Sequence, residues 1–273
     1  MPQAMKRLGV VGWPVSHSRS PAMFRAAFEA CGLEGWSYQR LPMPPGLFEE
    51  TARALPASGF VGVNVTIPHK QAAFALADRA SESASAIGAA NMLSFAPDGS
   101  IAAENTDAPG VVAALGRSPA GMSALVLGAG GSARAVVWGL LSAGAGKVSV
   151  WNRTHERAVA LADQLGARAV SSPVKADLLI NCTSVGLQRS ASEAAALNQL
   201  ALTADQVGSY GYVIDLVYRD EPTPLLVLAR SRGAVTVGGL EVLVAQGALS
   251  FEFWTGVPAP LHAMRRGAGI EEP

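Results

Sequence analysis

Ser123-Ala-Leu-Val-Leu-Gly-Ala-Gly-Gly-Ser-Ala-Arg-Ala135 is an apolar run that ends in glycines and passes directly into an alanine-rich segment. Residues 124–127 carry strand character and residues 132–143 helix character, so the glycines occupy a strand-to-helix turn. Gly128-x-Gly130-x-x-Ala133 is the spacing such a turn needs to hold a pyrophosphate. The first glycine permits the tight turn, the second lets backbone approach the phosphates, and the small third residue lets the helix pack close to the strand. The N–H groups of Ala129, Gly130, Gly131 and Ser132 then face an anion at the helix start. A glycine-rich loop can also be a plain turn, but a strand before it and a helix after it are the context a dinucleotide site requires.

The next strand narrows the nucleotide. NAD-binding versions end it with an Asp or Glu that accepts hydrogen bonds from the ribose 2′-OH. Here Trp151 is followed by Asn152, Arg153, Thr154 and, shortly after, Arg157, with no acid at the strand end. Arginines offer charge-assisted bonds to a phosphate, and the helix beginning near Thr154 also favours an anion. The pattern predicts NADP rather than NAD.

Around this turn the chain alternates strand and helix. The spacing predicts strands over Lys147–Trp151, Leu178–Asn181 and 212–216, and helices over His155–Leu165 and 224–232. An earlier alternation predicts strands over 8–12, 61–67 and 91–95, the last closed by the turn Pro97-Asp98-Gly99. Helices are expected over 21–31, capped by Ser20 and stopped by Gly32, and over 46–55 and 71–79. The composition of Ser118-Pro-Ala-Gly121 marks it as the best linker candidate. Such alternation implies mostly parallel sheets with helices on both faces. The expected fold class is α/β in two domains, residues 1–105 and 106–239, the latter a Rossmann-like doubly wound sheet. Residues 240–254 read as a helix too apolar for an outer surface, and 240–273 are expected to return to the first domain.

Gly62-Val-Asn-Val-Thr-Ile-Pro-His-Lys-Gln71 poses a separate question, because Lys70 opens a helix where the macrodipole disfavours a cation. As a single residue it reads as a solvated first-turn lysine. Ser18 and Ser20 lie two apart before the first helix, so an extended backbone points both hydroxyls one way. Two such hydroxyls could hold a carboxylate, or Ser20 alone could cap the helix.

Composition limits the partners. Of 273 residues 49% are hydrophobic and 15% charged, with 21 basic against 21 acidic side chains. Nothing in that balance suggests nucleic acid or a membrane surface, and a small-molecule substrate is the expected partner. Cys31 and Cys182 lack CxxC spacing and read as buried reduced thiols. His17, His69, His155 and His262 share no ligand spacing, so no metal site is expected. The N-terminal apolar run is too short for a signal peptide, and a soluble cytoplasmic monomer or homodimer is expected.

Taken together, GWPVSHSRSP, NVTIPHK, IGAAN, ENTDAPG, GAGGSARA, WNRT, NCTSVG, DLVYRDEPTPLL and VAQGALSFEFWTG resemble the shikimate dehydrogenase family over nearly the whole chain. The resemblance implies NADP-dependent reduction of 3-dehydroshikimate to shikimate, with the first domain binding substrate. It implies that Ser18, Ser20 and Tyr218 hold the substrate carboxylate with Thr66 close by. Asn91, Asp107 and Gln246 would bind ring hydroxyls, and Lys70 with Asp107 would form the catalytic pair. It also adds Thr183, Leu216 and Gly239 to the cofactor set. The chain departs from the family pattern at Met92, Gly238, Val242 and Arg219-Asp220-Glu221. Two other readings carry the same motifs: a quinate/shikimate paralogue acting on a related cyclic polyhydroxy acid, and a non-catalytic NADP-binding regulator. The second has no use for a proton-transfer pair.

Overall fold

The first strand, β1 (Lys6–Gly12), is buried from Leu8 onward, which fits a strand in the middle of a sheet. In the computed structural model, which describes residues 5–188 and 192–271, it belongs to the first of two units, 1–110 with 243–273. The first four residues of the N-terminal stretch lie outside the described residues. The other elements here are α1 (Ser20–Ala30), β2 (Trp36–Pro42), α2 (Phe48–Ala54), β3 (Phe60–Val65), α3 (Lys70–Leu76), β4 (Arg79–Ala80), α4 (Glu82–Ile87), β5 (Met92–Phe95), β6 (Ile101–Glu104) and the start of α5 (Asp107–Ala114). The sheet order is β2-β1-β3-β5-β6-β4.

This sheet is mostly parallel, as expected, with β5 as its one antiparallel strand among the described residues. β1 pairs parallel with β2 and β3, whereas β5 is antiparallel to both β3 and β6. The cause is local. Gly99 sits at φ +84°, and the Asp98 carboxylate accepts from the Ser100 N–H at 2.9 Å. That turn is too short for anything but an antiparallel return.

Several expected boundaries move. Ser20 is the first residue of α1 rather than its cap, and the Ser18 hydroxyl accepts from the Ser20 N–H at 3.3 Å. β3 ends at Val65, two residues early, because the chain turns through a His69 N–H to Thr66 carbonyl bond of 3.0 Å. α3 stops at Leu76, and Arg79–Ala80 pairs with β6 instead of extending the helix. Cys31 and Cys182 form no disulfide and are only half-buried.

The second unit, 111–242, holds β7 (Ser123–Leu127), α6 (Gly131–Ser142), β8 (Lys147–Trp151), α7 (His155–Leu165), β9 (Arg168–Ala169), β10 (Leu178–Asn181), α8 (Glu193–Gln199), α9 (Ala204–Val207), β11 (Tyr212–Asp215), α10 (Pro224–Ser231) and β12 (Val235–Val237). All its strand pairs are parallel, in the order β12-β11-β10-β7-β8-β9. Counted within the unit, that is the 3-2-1-4-5-6 order of the doubly wound dinucleotide fold. Ser118–Gly121 is no linker but a turn inside this unit, where the Gly121 N–H donates to the Gly144 carbonyl at 2.8 Å.

The chain leaves the second unit through α11 (Gly239–Thr255) and ends with α12 (Leu261–Ala268). Val244, Ala248 and Phe251 of α11 and Met264 of α12 share one apolar cluster with Leu8, Met23, Phe24 and Phe28. Fully burying a phenylalanine is worth about 1.5–3 kcal/mol, so α1 and the C-terminal helices are strongly joined within the first unit. Among the described residues no helix is long and apolar enough to cross a membrane.

Candidate active site

Parallel pairing aligns Val11 of β1 with Val65 of β3, so the loops after both strands leave the same edge of the first sheet. There the Trp13 N–H donates to the Ile67 carbonyl at 2.9 Å, and a Cβ on Gly12 would lie 2.5 Å from Thr66 Cγ2. β5 runs the other way, which brings its beginning, at Asn91, to this edge. The end of β6 brings Asn105, Thr106 and Asp107 to it as well. The turn that opens β6 is therefore what places the carboxylate near the lysine.

Lys70 Nζ stands 2.5 Å from Asp107 Oδ2, with side chains 11% and 16% exposed, open enough to meet a ligand and too enclosed for full hydration. The Asn91 amide donates to Asp107 Oδ1 at 2.9 Å, to Thr106 Oγ1 at 2.9 Å and to Gln246 Oε1 at 3.1 Å. Its own oxygen accepts from the Thr106 N–H at 2.7 Å. One hydrogen-bonded set thus joins Lys70, Asp107, Asn91 and Gln246.

Beneath these lies a polar layer that sequence reasoning missed. Ser250 accepts from Asn64 at 3.0 Å and bonds Thr106 at 3.1 Å, and the Tyr38 hydroxyl donates to Asn64 Oδ1 at 2.8 Å. Gly110 was also missed. A Cβ there would fall 2.9 Å from the Gln246 backbone, so only glycine lets α5 and α11 approach this closely. No local signal in the sequence marks Thr106, Ser250 or Gly110 as partners.

Lys70 is positioned by its neighbour. His69 is buried, stacked on Phe48 at 4.5 Å between ring centroids, and its Nε2 lies 2.7 Å from the Met43 carbonyl. A carbonyl can only accept, so Nε2 carries the proton. Burial pushes the imidazole pKa down, keeping the ring neutral. Ser18 and Ser20 are both buried beside the start of α1, and the Arg40 guanidinium donates to the Ser18 carbonyl at 2.7 Å.

In the second unit the glycine turn leaves β7 at the point where the strand order reverses, where open parallel sheets bind ligands. Gly128 takes φ +109°, and a Cβ on it would lie 3.3 Å from Thr183 Cγ2. Gly130 caps α6 with nothing within 4 Å of its Cβ position, leaving the room a phosphate needs. Ala133 is fully buried against the sheet. Arg153, Thr154 and Arg157 are exposed around the start of α7, and among the described residues neither arginine makes an ion pair. Asn152 donates to the Thr154 carbonyl at 2.8 Å, fixing that turn.

The remaining expected cofactor residues come close in pairs. Thr183 lies against Gly128, and a Cβ on Gly239 would fall 2.5 Å from the Leu216 carbonyl oxygen. Tyr218, half-buried, follows β11 in this same unit. Asn181, Asp215 and Thr223 are buried polar residues that sequence reasoning passed over. A polar residue ending each of two adjacent apolar strands was the available signal.

A doubly wound sheet with a phosphate-binding turn at its switch point, in a chain that also carries an enclosed Lys–Asp pair, defines a dinucleotide-dependent oxidoreductase. Residues 10–93 match the shikimate dehydrogenase substrate binding domain, 113–199 the shikimate / quinate 5-dehydrogenase domain, and 239–266 the shikimate 5'-dehydrogenase C-terminal domain. The NADP(+) shikimate dehydrogenase of Methylobacterium radiotolerans is 46% identical, covering 95% of this chain and 94% of the relative. The crystal structure of shikimate 5-dehydrogenase from Thermus thermophilus in complex with NADP(H) and shikimate has a TM-score of 0.85 at 41% identity, covering 97% and 99%. A 5-ketofructose reductase from Gluconobacter is also similar, with a TM-score of 0.81 at 28% identity, covering 98% and 99%. The chain belongs to the shikimate dehydrogenase family.

Proposed function

We propose that this chain interconverts 3-dehydroshikimate and shikimate with NADP, using Lys70 and Asp107 for proton transfer. The observation that carries the reading is the 2.5 Å Lys70–Asp107 contact, built into one hydrogen-bonded set with Asn91 and Gln246. Reducing a ketone leaves developing negative charge on its oxygen, and the Lys70 ammonium is the group to protonate it. In the oxidative direction the neutral amine takes that proton back. Asp107 orients the ammonium through Oδ2, while its Oδ1 is held by Asn91. Asn91 and Gln246 offer donors and acceptors to ring hydroxyls. Ser18, Ser20 and Tyr218, with Thr66 near the serines, are assigned to the carboxylate.

The cofactor fits the second unit on three counts: the open Cβ space at Gly130, the anion-favouring start of α6, and the absence of an acid at the end of β8. Gly128 to Ala133 would hold the pyrophosphate, and Asn152, Arg153, Thr154 and Arg157 the 2′-phosphate. Thr183, Leu216 and Gly239 are assigned to the nicotinamide end. When bound, NADPH supplies a hydride to the carbonyl carbon of the substrate, and NADP⁺ accepts it in reverse.

The test follows nicotinamide absorbance with shikimate or quinate, each offered NADP⁺ and NAD⁺. Turnover of shikimate with NADP⁺ well above the other three combinations is expected. Preference for quinate would move the chain to a paralogous activity, which the similarity to a ketofructose reductase makes worth testing. No turnover with any combination, alongside NADP⁺ binding, would favour a regulator.

A further inference from the structure

Adjacent strands β10 and β11 end in register, with Asn181 opposite Asp215, and both side chains are completely buried. The Asp215 carboxyl collects three donors. Asn181 Nδ2 reaches Oδ1 at 2.9 Å, the Val217 N–H reaches Oδ1 at 3.0 Å, and the Thr223 hydroxyl reaches Oδ2 at 2.6 Å. Thr223 caps α10, so this last bond closes the loop 216–222 at its base. Asn181 in turn accepts from the Thr183 N–H at 3.0 Å and from its hydroxyl at 2.7 Å, and donates to the Val185 carbonyl at 3.2 Å. From the outer side, Arg219 donates to the Gly186 carbonyl at 3.4 Å and to the Pro222 carbonyl at 3.0 Å. Two loops are therefore tied to one buried carboxyl, directly on one side and through Asn181 on the other.

We propose that Asp215 is a positioning residue whose carboxyl clamps the loops 182–186 and 216–222, and so sets the placement of Thr183, Leu216 and Tyr218. With no exposed surface it touches neither substrate nor cofactor; it acts only through its partners. Burial of a carboxyl in this position is costly, and three convergent hydrogen bonds are what compensate it. An apolar residue of the same size would fill the space equally well but leave the Asn181 amide, the Val217 N–H and the Thr223 hydroxyl without their acceptor. The consequence for binding rests on the NADP reading above; the clamp itself does not.

The experiment measures amide hydrogen exchange across the full chain without cofactor, and NADP⁺ affinity by calorimetry. The proteins compared are wild type, Asp215→Leu, Asp215→Asn, Thr223→Val and Thr223→Ser. Asp215→Leu should speed exchange in 182–186 and 216–222 by about tenfold or more, with the rest of the second unit changing much less. Its Kd for NADP⁺ should rise roughly tenfold, the consequence of losing fixed geometry worth one buried hydrogen bond. Asp215→Asn keeps an acceptor for Asn181 and Val217 and can donate to Thr223, so it should restore near-normal exchange and affinity. If Asp215→Leu does not fold, Thr223→Val against Thr223→Ser decides, because only the hydroxyl differs in function. Unchanged loop exchange in the Leu or Val variant overturns the clamp, as does acceleration spread evenly over the unit. A wild-type chain that fails to bind NADP⁺ overturns the cofactor reading, and the exchange data still decide the clamp.

Discussion

Lys70 Nζ and Asp107 Oδ2 stand 2.5 Å apart although 37 residues separate them in sequence. Neither the loop after β3 nor the one after β6 brings the pair together alone. The contact exists because the antiparallel β5–β6 return delivers Asp107 to the edge where Lys70 begins α3.

Lys70→Ala should lower kcat roughly 10²–10⁴-fold, the usual scale for a general acid–base group, with a much smaller change in KM. Ser18→Ala should do the opposite and mainly raise KM, because a carboxylate contact is made equally in ground and transition states. Steady-state kinetics with shikimate and NADP⁺ separates the two. A Lys70→Ala enzyme with near-normal kcat would return the lysine to a substrate contact or a plain first-turn residue.

Gly110 tests whether the closeness of two helices matters for the site. Alanine there would put its Cβ 2.7 Å from Gln246 Cβ and 2.9 Å from the Gln246 backbone, so α5 or α11 must move. Overpacking of this kind costs about 1–3 kcal/mol, and thermal melting should show it as a lowered Tm. Because Gly110 lies one turn from Asp107, kcat/KM should fall as well. Gly46→Ala, with nothing within 4 Å of the new Cβ, is the matched control and should melt and turn over like wild type. Equal behaviour of the two variants would remove Gly110 from the site's support.

What the sequence made legible follows from how local each signal is. The glycine turn, its strand and its helix lie in one continuous stretch from Ser123 to Ser142, so pattern alone located β7 and α6. The resemblance likewise supplied Lys70, Asp107, Asn91 and Gln246 before any geometry did, and they form one hydrogen-bonded set. The mostly parallel character of the first sheet was legible, but the reversed direction of β5 was not, because strand direction depends on which neighbour a strand finds. β2 escaped notice because its half-buried residues show no alternation. Ser250 and Thr106 meet across 144 residues, and nothing near either announces the other.

Arg153 should decide between nicotinamide cofactors. It is exposed beside the start of α7, on the strand-end turn where an acid would mark a preference for the free ribose. A charge-assisted bond to a phosphate is worth roughly 1.5–3 kcal/mol, about ten- to a hundredfold in affinity. Arg153→Ala should therefore weaken NADP⁺ far more than NAD⁺ in parallel titrations. Its exposure puts the loss at the lower end and makes it smaller at high salt. Equal losses for both cofactors would assign the arginine to the fold or to the shared part of the nucleotide.

Stability should depend on pH through Asp215. Burial, set against the bonds from Thr223, the Val217 N–H and Asn181 and the nearby Arg219, raises its pKa from 3.8 to about 6. The folded state thus holds the proton more tightly than the unfolded chain, which binds fewer protons between those two values. Its contribution is fully present below about 3.8 and is lost as pH rises through about 6. A shift of that size corresponds to about 3 kcal/mol at most. Asp98 and Asp177 work in the other direction, their pKa values lowered chiefly by hydrogen bonds from Ser100 and Ser123, so the whole-protein profile mixes both. Asp215→Asn isolates the buried group, since it cannot ionise. The Tm of wild type minus that of Asp215→Asn should fall as pH rises from about 3.8 to about 6 and level off above it. A difference that stays constant across that range would mean the carboxyl does not change its charge there, and that its ionised form is held by the three donors at no net cost.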